Sequence, residues 1–436
     1  MNAIPQGWRP AVAAISLLWV ATLAAAGMVF LAQTLLARRL GPDDYGLFAS
    51  SLATVTMIAP LAGFGLSQFR LKAYGSEGWD ADRWMRPALR FSLLTTLLAL
   101  ALVVGWALLG AAGDAGTRTT LLWLAPMGPG LFAGDFVGSK LRLEERPGAL
   151  ALWQLLLPGG RLAIALLAWT AAAASAAQVA LGHGLLAILV AAVAIPQLSA
   201  MQAGRRRLKG HGPRRMEPPP PSPGVRELWS QAWAYGLSAA LYPVFFQVGT
   251  VLLKYLGGNA HAGRYGIALA VMTAIYLFPA TVYQKYLLSR LHRWAVHDPE
   301  RFRGAYRTGN AAMLAAGIAT GATLALVAPW LVPRVFGAAY GEVATLLQVM
   351  SICVPLRFLS TAVGSALLTR DHMRYRVNAM LAATLAAVLL NLWLVPRHQA
   401  LGAAWATAAA EALLLLAMWR GARRLTREAG SGGDAR

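Results

Sequence analysis

The chain has 436 residues, is 57% hydrophobic and only 13% charged, and carries a formal net charge of +21. That charge density is too low to cover a soluble domain, and no alternating strand pattern points to an outer-membrane barrel. The Lys and Arg residues sit in short loops between apolar blocks, which is topological information and not a nucleic-acid-binding stripe.

The first apolar block, 12–37, is too long for the apolar region of a signal peptide and has no clear cleavage site. It reads as a first membrane span. A Leu40-Gly41 corner and a Tyr45-Gly46 entry lead into a second span at 45–69, which contains Pro60. Further blocks of about twenty residues, the length that crosses a hydrocarbon core as a helix, follow at 88–112, 118–139, 149–171 and 177–200. The longest loop, about Met201 to Arg226, contains RRRLKG and EPPPPSPG. Pro-rich, charged and non-periodic, it reads as a cytoplasmic linker.

Six more spans follow at 229–254, 264–287, 308–331, 342–368, 377–395 and 400–420. Here Leu256-Gly257, Tyr265-Gly266 and Pro279 repeat the pattern of the first half. The expected organisation is all-α and polytopic. A six-helix bundle at 1–200, a linker at 201–228, a second bundle at 229–421 and a tail at 422–436 make a parallel repeat about an axis along the membrane normal. The basic segment Ser289 to Arg307 has Leu291, Trp294, Phe302 and Tyr306 placed to face the bilayer surface; an ordinary solvated loop is the alternative.

Counting Lys and Arg fixes the expected orientation. Both ends and the alternate loops between them hold thirty of the 39. The opposite loops hold seven: Arg38, Arg39, Arg118, Lys254, Arg264, Arg334 and Arg397. This bias puts both termini in the cytoplasm. The remaining two, Arg161 and Arg357, fall inside spans. A central Arg costs roughly 2.5–3.5 kcal/mol even on insertion scales, so each should face a cavity or a partner. Pro158 and Pro355 lie within three residues of them, which points to bent helices lining a cavity.

Glu411 lies mid-span in the twelfth block, either for ion coupling or to pair with an arginine and pin two helices. His183 reads as a neutral packing residue or a proton-linked one. Asp135 and Lys140 lie near the cytoplasmic end of the fourth span, where a solvated helix end competes with ion coupling. Gln33, Gln68, Gln154, Gln247 and Asn391 read as interhelical hydrogen-bond partners. The single cysteine, Cys353, lies in an apolar block and allows neither an intramolecular disulfide nor a Cys-based metal site. No P-loop, HExxH, metal-spaced His cluster or nucleophile elbow is present. The expectation is a transporter without a cofactor and not an enzyme.

The segment LARRLGPDDYGLFASSLATVTMIAPLAGFGLSQF resembles the first-to-second span signature of the polysaccharide transporter (Wzx-type) branch of the multidrug/oligosaccharidyl-lipid/polysaccharide exporter superfamily. VPRVFGAAYGEVATLLQVMSICVPLRFLSTAVGSALLTRDHMRYR and LVPRHQALGAAWATAAAEALLLLAMWR are similar to later segments of that branch. The resemblance implies two six-helix bundles in a V around a central cavity. It implies flipping of polyprenyl-pyrophosphate-linked oligosaccharide repeat units across the bacterial inner membrane, beside the polymerase and glycosyltransferases of a surface-polysaccharide pathway. It also implies that cationic cavity residues, here Arg357 in PLRFL and Arg161, meet the anionic head. Twelve spans argue against the lipid II flippase branch, which usually has fourteen. Competing readings are a cation-coupled multidrug exporter of the same superfamily and a membrane-embedded polymerase or glycosyltransferase. The deep charges, two Arg against one Glu, weigh against the first. The short outer loops weigh against the second.

Overall fold

The structure is a computed structural model that describes residues 9–202, 208, 221–280, 299–368 and 373–431. Most of the Pro-rich linker, and the basic segment as far as residue 298, lie outside the described residues. Among those described, all regular structure is helical. The helices are α1 (Arg9–Ile58), α2 (Leu66–Glu77), α3 (Met85–Gly105), α4 (Ala115–Leu124), α5 (Met127–Leu143), α6 (Pro147–Thr170), α7 (Ala176–Gln202), α8 (Val225–Gly257), α9 (Asn259–Ala280), α10 (Pro299–Phe336), α11 (Glu342–Met350), α12 (Cys353–Leu368) and α13 (Met373–Ser431).

Among the described residues, eight helical stretches are long and apolar enough to cross a membrane, and the longest of them hold more than one pass. The helix α1 is broken at Gly41, whose φ of 75° lies in the left-handed region that glycine adopts without penalty. Pro42 then starts the second pass, where its missing N–H costs nothing. Likewise α13 is broken at Gln399, where φ is 53° and ψ is −132°. Each of the twelve expected spans falls on a helical pass so far as it is described, and the all-α polytopic architecture read from the sequence is the one found.

Several spans are not continuous. The second ends as a regular helix at Ile58, passes through a 3-10 turn at Ala59–Leu61 that holds Pro60, and resumes as α2 after Gly63 and Gly65. The fourth is split between α4 and α5 at Pro126, and the tenth between α11 and α12 just before Pro355. Hydropathy is blind to such breaks, because the residues at the break are themselves apolar or small. The repeat is also inexact at its corners. Gly258, not Gly257, takes the left-handed conformation in the second half, because α8 runs one residue further before it ends.

The chain divides into two compact units, Met1–Arg39 with Ser51–Ala240, and Leu40–Ser50 with Leu241–Arg436. In the first, Leu66, Phe69, Tyr74, Trp84 and Phe91 form a core with Leu228 and Ala232 from the start of α8. Phe64 stacks on Trp229 at 5.2 Å. A second cluster, Val137, Leu141, Leu150 and Ala194, ties α5, α6 and α7 together.

In the second unit, residues 40–50 pack on α9 with no room for a side chain at Gly46 or Gly263. A Cβ on Gly46 would overlap the carbonyl oxygen of Asn259, and one on Gly263 would lie 3.0 Å from the Cα of Gly46. Tyr45 meets Tyr340 edge-on at 6.5 Å, and the Tyr265 hydroxyl bonds Thr407 at 2.6 Å. Large apolar side chains such as Leu94, Leu97, Leu109, Leu167, Leu326 and Leu389 stand exposed on the outer faces of their helices. A bilayer solvates such faces, which water would not.

Candidate functional site

In the second unit the sequence-selected residues Arg357 and Glu411 come together. Arg357 projects from α12, one turn after the break at Ser351–Ile352, and only 9% of it is exposed. Its Nη1 lies 3.5 Å from Glu411 Oε1, and its Nη2 donates to the Tyr242 hydroxyl at 3.0 Å. The guanidinium carbon sits 4.6 Å from the Phe246 ring centroid, 5.3 Å from that of Tyr242 and 5.5 Å from that of Tyr276. The cation is thus enclosed by three aromatic rings from α8 and α9, and the negative faces of those rings attract it.

Glu411, on α13, is fully buried and makes one long contact, with its Oε2 left without a hydrogen-bond partner. The buried Tyr276 hydroxyl is also without one. A charge-assisted N–H···O bond is normally about 2.7–2.9 Å. The 3.5 Å pair is therefore a loose, single-oxygen contact and not a fork-to-fork clamp.

Sequence reasoning missed the rings. Tyr242 and Phe246 are four apart on α8, and so share a face, but an aromatic pair in an apolar block reads equally well as lipid-facing. It also missed Arg376, counted as a loop charge, which lies within electrostatic reach of Arg357.

In the first unit Arg161 and His183 stand on helices that pack against each other. Arg161 stands on α6, which continues through Pro158 without losing helical geometry. It is half-buried, its Nε has no hydrogen-bond partner, and among the described residues no acidic group forms a salt bridge with it. His183, on α7, is 3% exposed and within electrostatic reach of Arg161. Its Nδ1 lies 2.8 Å from the Val179 carbonyl, which fixes Nδ1 as the protonated nitrogen. Of the two prolines expected to bend helices beside an arginine, only Pro355 adjoins a break.

Asp135 is exposed on α5, in a cleft that Arg142, Trp153 and Gln154 also line. Its neighbour Lys140 is not a solvated helix end. It is buried, donates to Gln197 Oε1 at 2.6 Å and lies 3.5 Å from Glu144. Arg70, read as a loop charge, is likewise buried, with its guanidinium 4.1 Å from the Phe136 ring centroid. Long stems let both side chains reach polar or aromatic partners inside the helix packing, which charge counting along the chain does not register.

Among the described residues no cluster of His, Cys, Asp or Glu is suited to hold a metal.

No protein-family model matches the chain, and no curated protein matches it. Solved structures do. The lipid II flippase MurJ in an inward closed conformation matches with a TM-score of 0.66 and 14% identity, over 93% of this chain and 87% of that one. The MATE multidrug transporter DinF-BH matches with a TM-score of 0.65 and 13% identity, over 97% of this chain and 96% of that one. A transporter from Pyrococcus furiosus Vc1, whose binding pocket is described as having reverse polarity, matches with a TM-score of 0.61 and 14% identity, over 95% of both. At these identities the likeness is one of fold: the chain has the helical fold of the transporters of the MOP superfamily.

Proposed function

We propose that the chain is a flippase that carries polyprenyl-pyrophosphate-linked oligosaccharide repeat units across the bacterial inner membrane for surface-polysaccharide synthesis. The observation that carries this reading is Arg161. A guanidinium cannot be deprotonated in a protein, and leaving one within a membrane helix without a counter-ion is costly. A pyrophosphate supplies that counter-charge, and its oxygens match the planar donors of guanidinium two at a time. Outward movement of the anionic head runs with an inside-negative potential, worth about 2.3 kcal/mol per charge per 100 mV. The fold shared with the lipid II flippase fits the same reading.

Arg161→Ala is expected to abolish surface polysaccharide at unchanged membrane abundance, with lipid-linked repeat units accumulating in the cell. Arg161→Lys, which keeps the charge and loses the fork, should retain part of the activity. Normal export by an inserted alanine variant would remove the cationic site from the mechanism.

A second reading, a cation-coupled exporter, is favoured by the fully buried Glu411 and by the shared fold with multidrug transporters. Reconstituted vesicles separate the two. The flippase reading expects movement of a fluorescent polyprenyl-pyrophosphate glycan and none of a cationic dye.

The proposed orientation has both termini in the cytoplasm. Reporter fusions at Ser222 and after Gly430 should give a cytoplasmic signal, and one at Ala338 a periplasmic signal. A periplasmic signal at Ser222 would reject the arrangement of six spans on each side of the linker.

A further inference from the structure

The cleft beside Asp135 lies wholly within the first unit, between α5 and α6 with Val190 of α7. Its volume is 260 Å³. That is just under the roughly 300–1,000 Å³ of sites for drug-sized ligands, so it admits one small ring. The lining is mixed: Leu131, Leu150, Leu156, Leu157 and Pro158 give apolar walls, while Asp135, Arg142 and Gln154 bring polar groups together.

These polar groups are available. Among the described residues neither the Asp135 nor the Arg142 side chain makes a hydrogen bond or salt bridge, although the Arg142 charge reaches Asp135. Gln154 Oε1 is buried and has no partner. Trp153, by contrast, is fixed, because its indole N–H donates to the Gly134 carbonyl at 2.9 Å.

The α5 side of the cleft is held open by small residues that packing does not demand. A Cβ on Gly134 would meet no atom within 4 Å, and one on Gly138 would meet only a Leu150 methyl at 3.9 Å. Glycine in a helix interior costs roughly 0.5–1 kcal/mol against alanine. Here that cost preserves empty space and not a close helix contact.

We propose that this cleft binds one sugar ring of the lipid-linked glycan, with Asp135 and Gln154 accepting from hydroxyls, Arg142 donating, and the fixed Trp153 indole as a wall. The inference rests on the flippase reading and adds the part of the substrate that a cationic site cannot recognise. Ionised carboxylate and amide oxygen accept hydrogen bonds while guanidinium only donates, so the set matches a ring with several free hydroxyls. Its position along α6 fits as well. Gln154 and Arg161 are seven residues apart and so share a helix face, about 10 Å apart along the axis. A diphosphate held at Arg161 would place the first sugars along the helix toward Gln154.

The test is direct binding, without transport, to the full-length protein in nanodiscs. The probes are methyl glycosides of glucose, galactose, mannose and N-acetylglucosamine, and glucuronic acid, read by saturation-transfer NMR and tryptophan fluorescence. At least one is expected to bind. Gly134→Leu, whose Cβ meets no atom within 4 Å and whose side chain takes up cleft volume, and Asp135→Asn should each weaken that binding at least tenfold. Gly75→Ala, outside the cleft, should leave it within twofold. Melting temperatures equal to wild type would show that the variants fold.

No binding by any probe, or binding unchanged in Gly134→Leu, overturns the proposal. Saturable glycerol 3-phosphate binding that Gly134→Leu abolishes also overturns it, by making the cleft a phospholipid headgroup site. Sugar binding that meets these expectations stands even if the vesicle assay finds no flipping, so failure of the cleft and failure of the flippase reading are distinguishable.

Discussion

Gly46→Ala and Gly263→Ala should each cut the yield of folded, monodisperse protein at least tenfold. The added methyl on Gly46 would overlap the backbone carbonyl of Asn259 and lie 2.9 Å from the Gly263 nitrogen; that on Gly263 would run into the Pro42 carbonyl. No side-chain rotation relieves a clash with backbone, so the two segments must separate. Their separation would strip contacts from Tyr45, which is 2% exposed and packed against Tyr340. Ordinary overpacking costs about 1–3 kcal/mol, and a backbone clash at a helix crossing belongs at or above that upper end. Gly75→Ala is the control, because a Cβ there meets nothing within 4 Å. Detergent extraction followed by size-exclusion chromatography reads the result. Wild-type yield and melting temperature for Gly46→Ala would show that this crossing is not needed for the fold.

The same glycines show how far the sequence could be read. The Tyr45-Gly46 and Tyr265-Gly266 pairs are visible as a repeat in one dimension, and both lie at the crossing of residues 40–50 with α9. That the contacting partner of Gly46 is Gly263, two residues before the repeated pair, is set by helix geometry that a motif does not encode. Span number and helical class were legible because a helix in lipid must satisfy its own backbone and so announces itself by length and hydropathy. The breaks at Pro126 and Ser351 were not, since the apolar content runs through them. Arg161, Arg357, Glu411 and His183 were legible as ionisable residues in apolar blocks, and an Arg–Glu pair was among the readings of Glu411, but which arginine it meets was not legible. Charge on adjacent blocks says nothing of which side chains meet, and the ring enclosure of Arg357 is built from residues that read as lipid-facing. The cleft beside Asp135 was the least legible of all, because a space left by Gly134 and Gly138 has no residue of its own.

Arg357 and Glu411 should behave as a coupled pair whose separate losses are unequal. Arg357→Met leaves a fully buried carboxylate with no cation beside it, a situation that costs roughly 3–5 kcal/mol. Glu411→Gln leaves the cation with the Tyr242 hydroxyl and three ring faces, so the loss should be about half as large or less. Replacing both, as Arg357→Met with Glu411→Leu, removes two buried charges together. Such replacements are often neutral or stabilising. Melting temperatures should therefore rank the double variant above Arg357→Met, with a loss well short of the sum of the two single losses. Surface-polysaccharide export then separates clamp from site. The single 3.5 Å contact and the partnerless Glu411 Oε2 describe a pair that can exchange partners, whereas a purely structural pair gains from a closed fork. The expected double variant is folded, abundant and inactive in export. If it is folded and exports at the wild-type rate, the pair only pins α12 to α13, and an anion-binding role for Arg357 has to be given up.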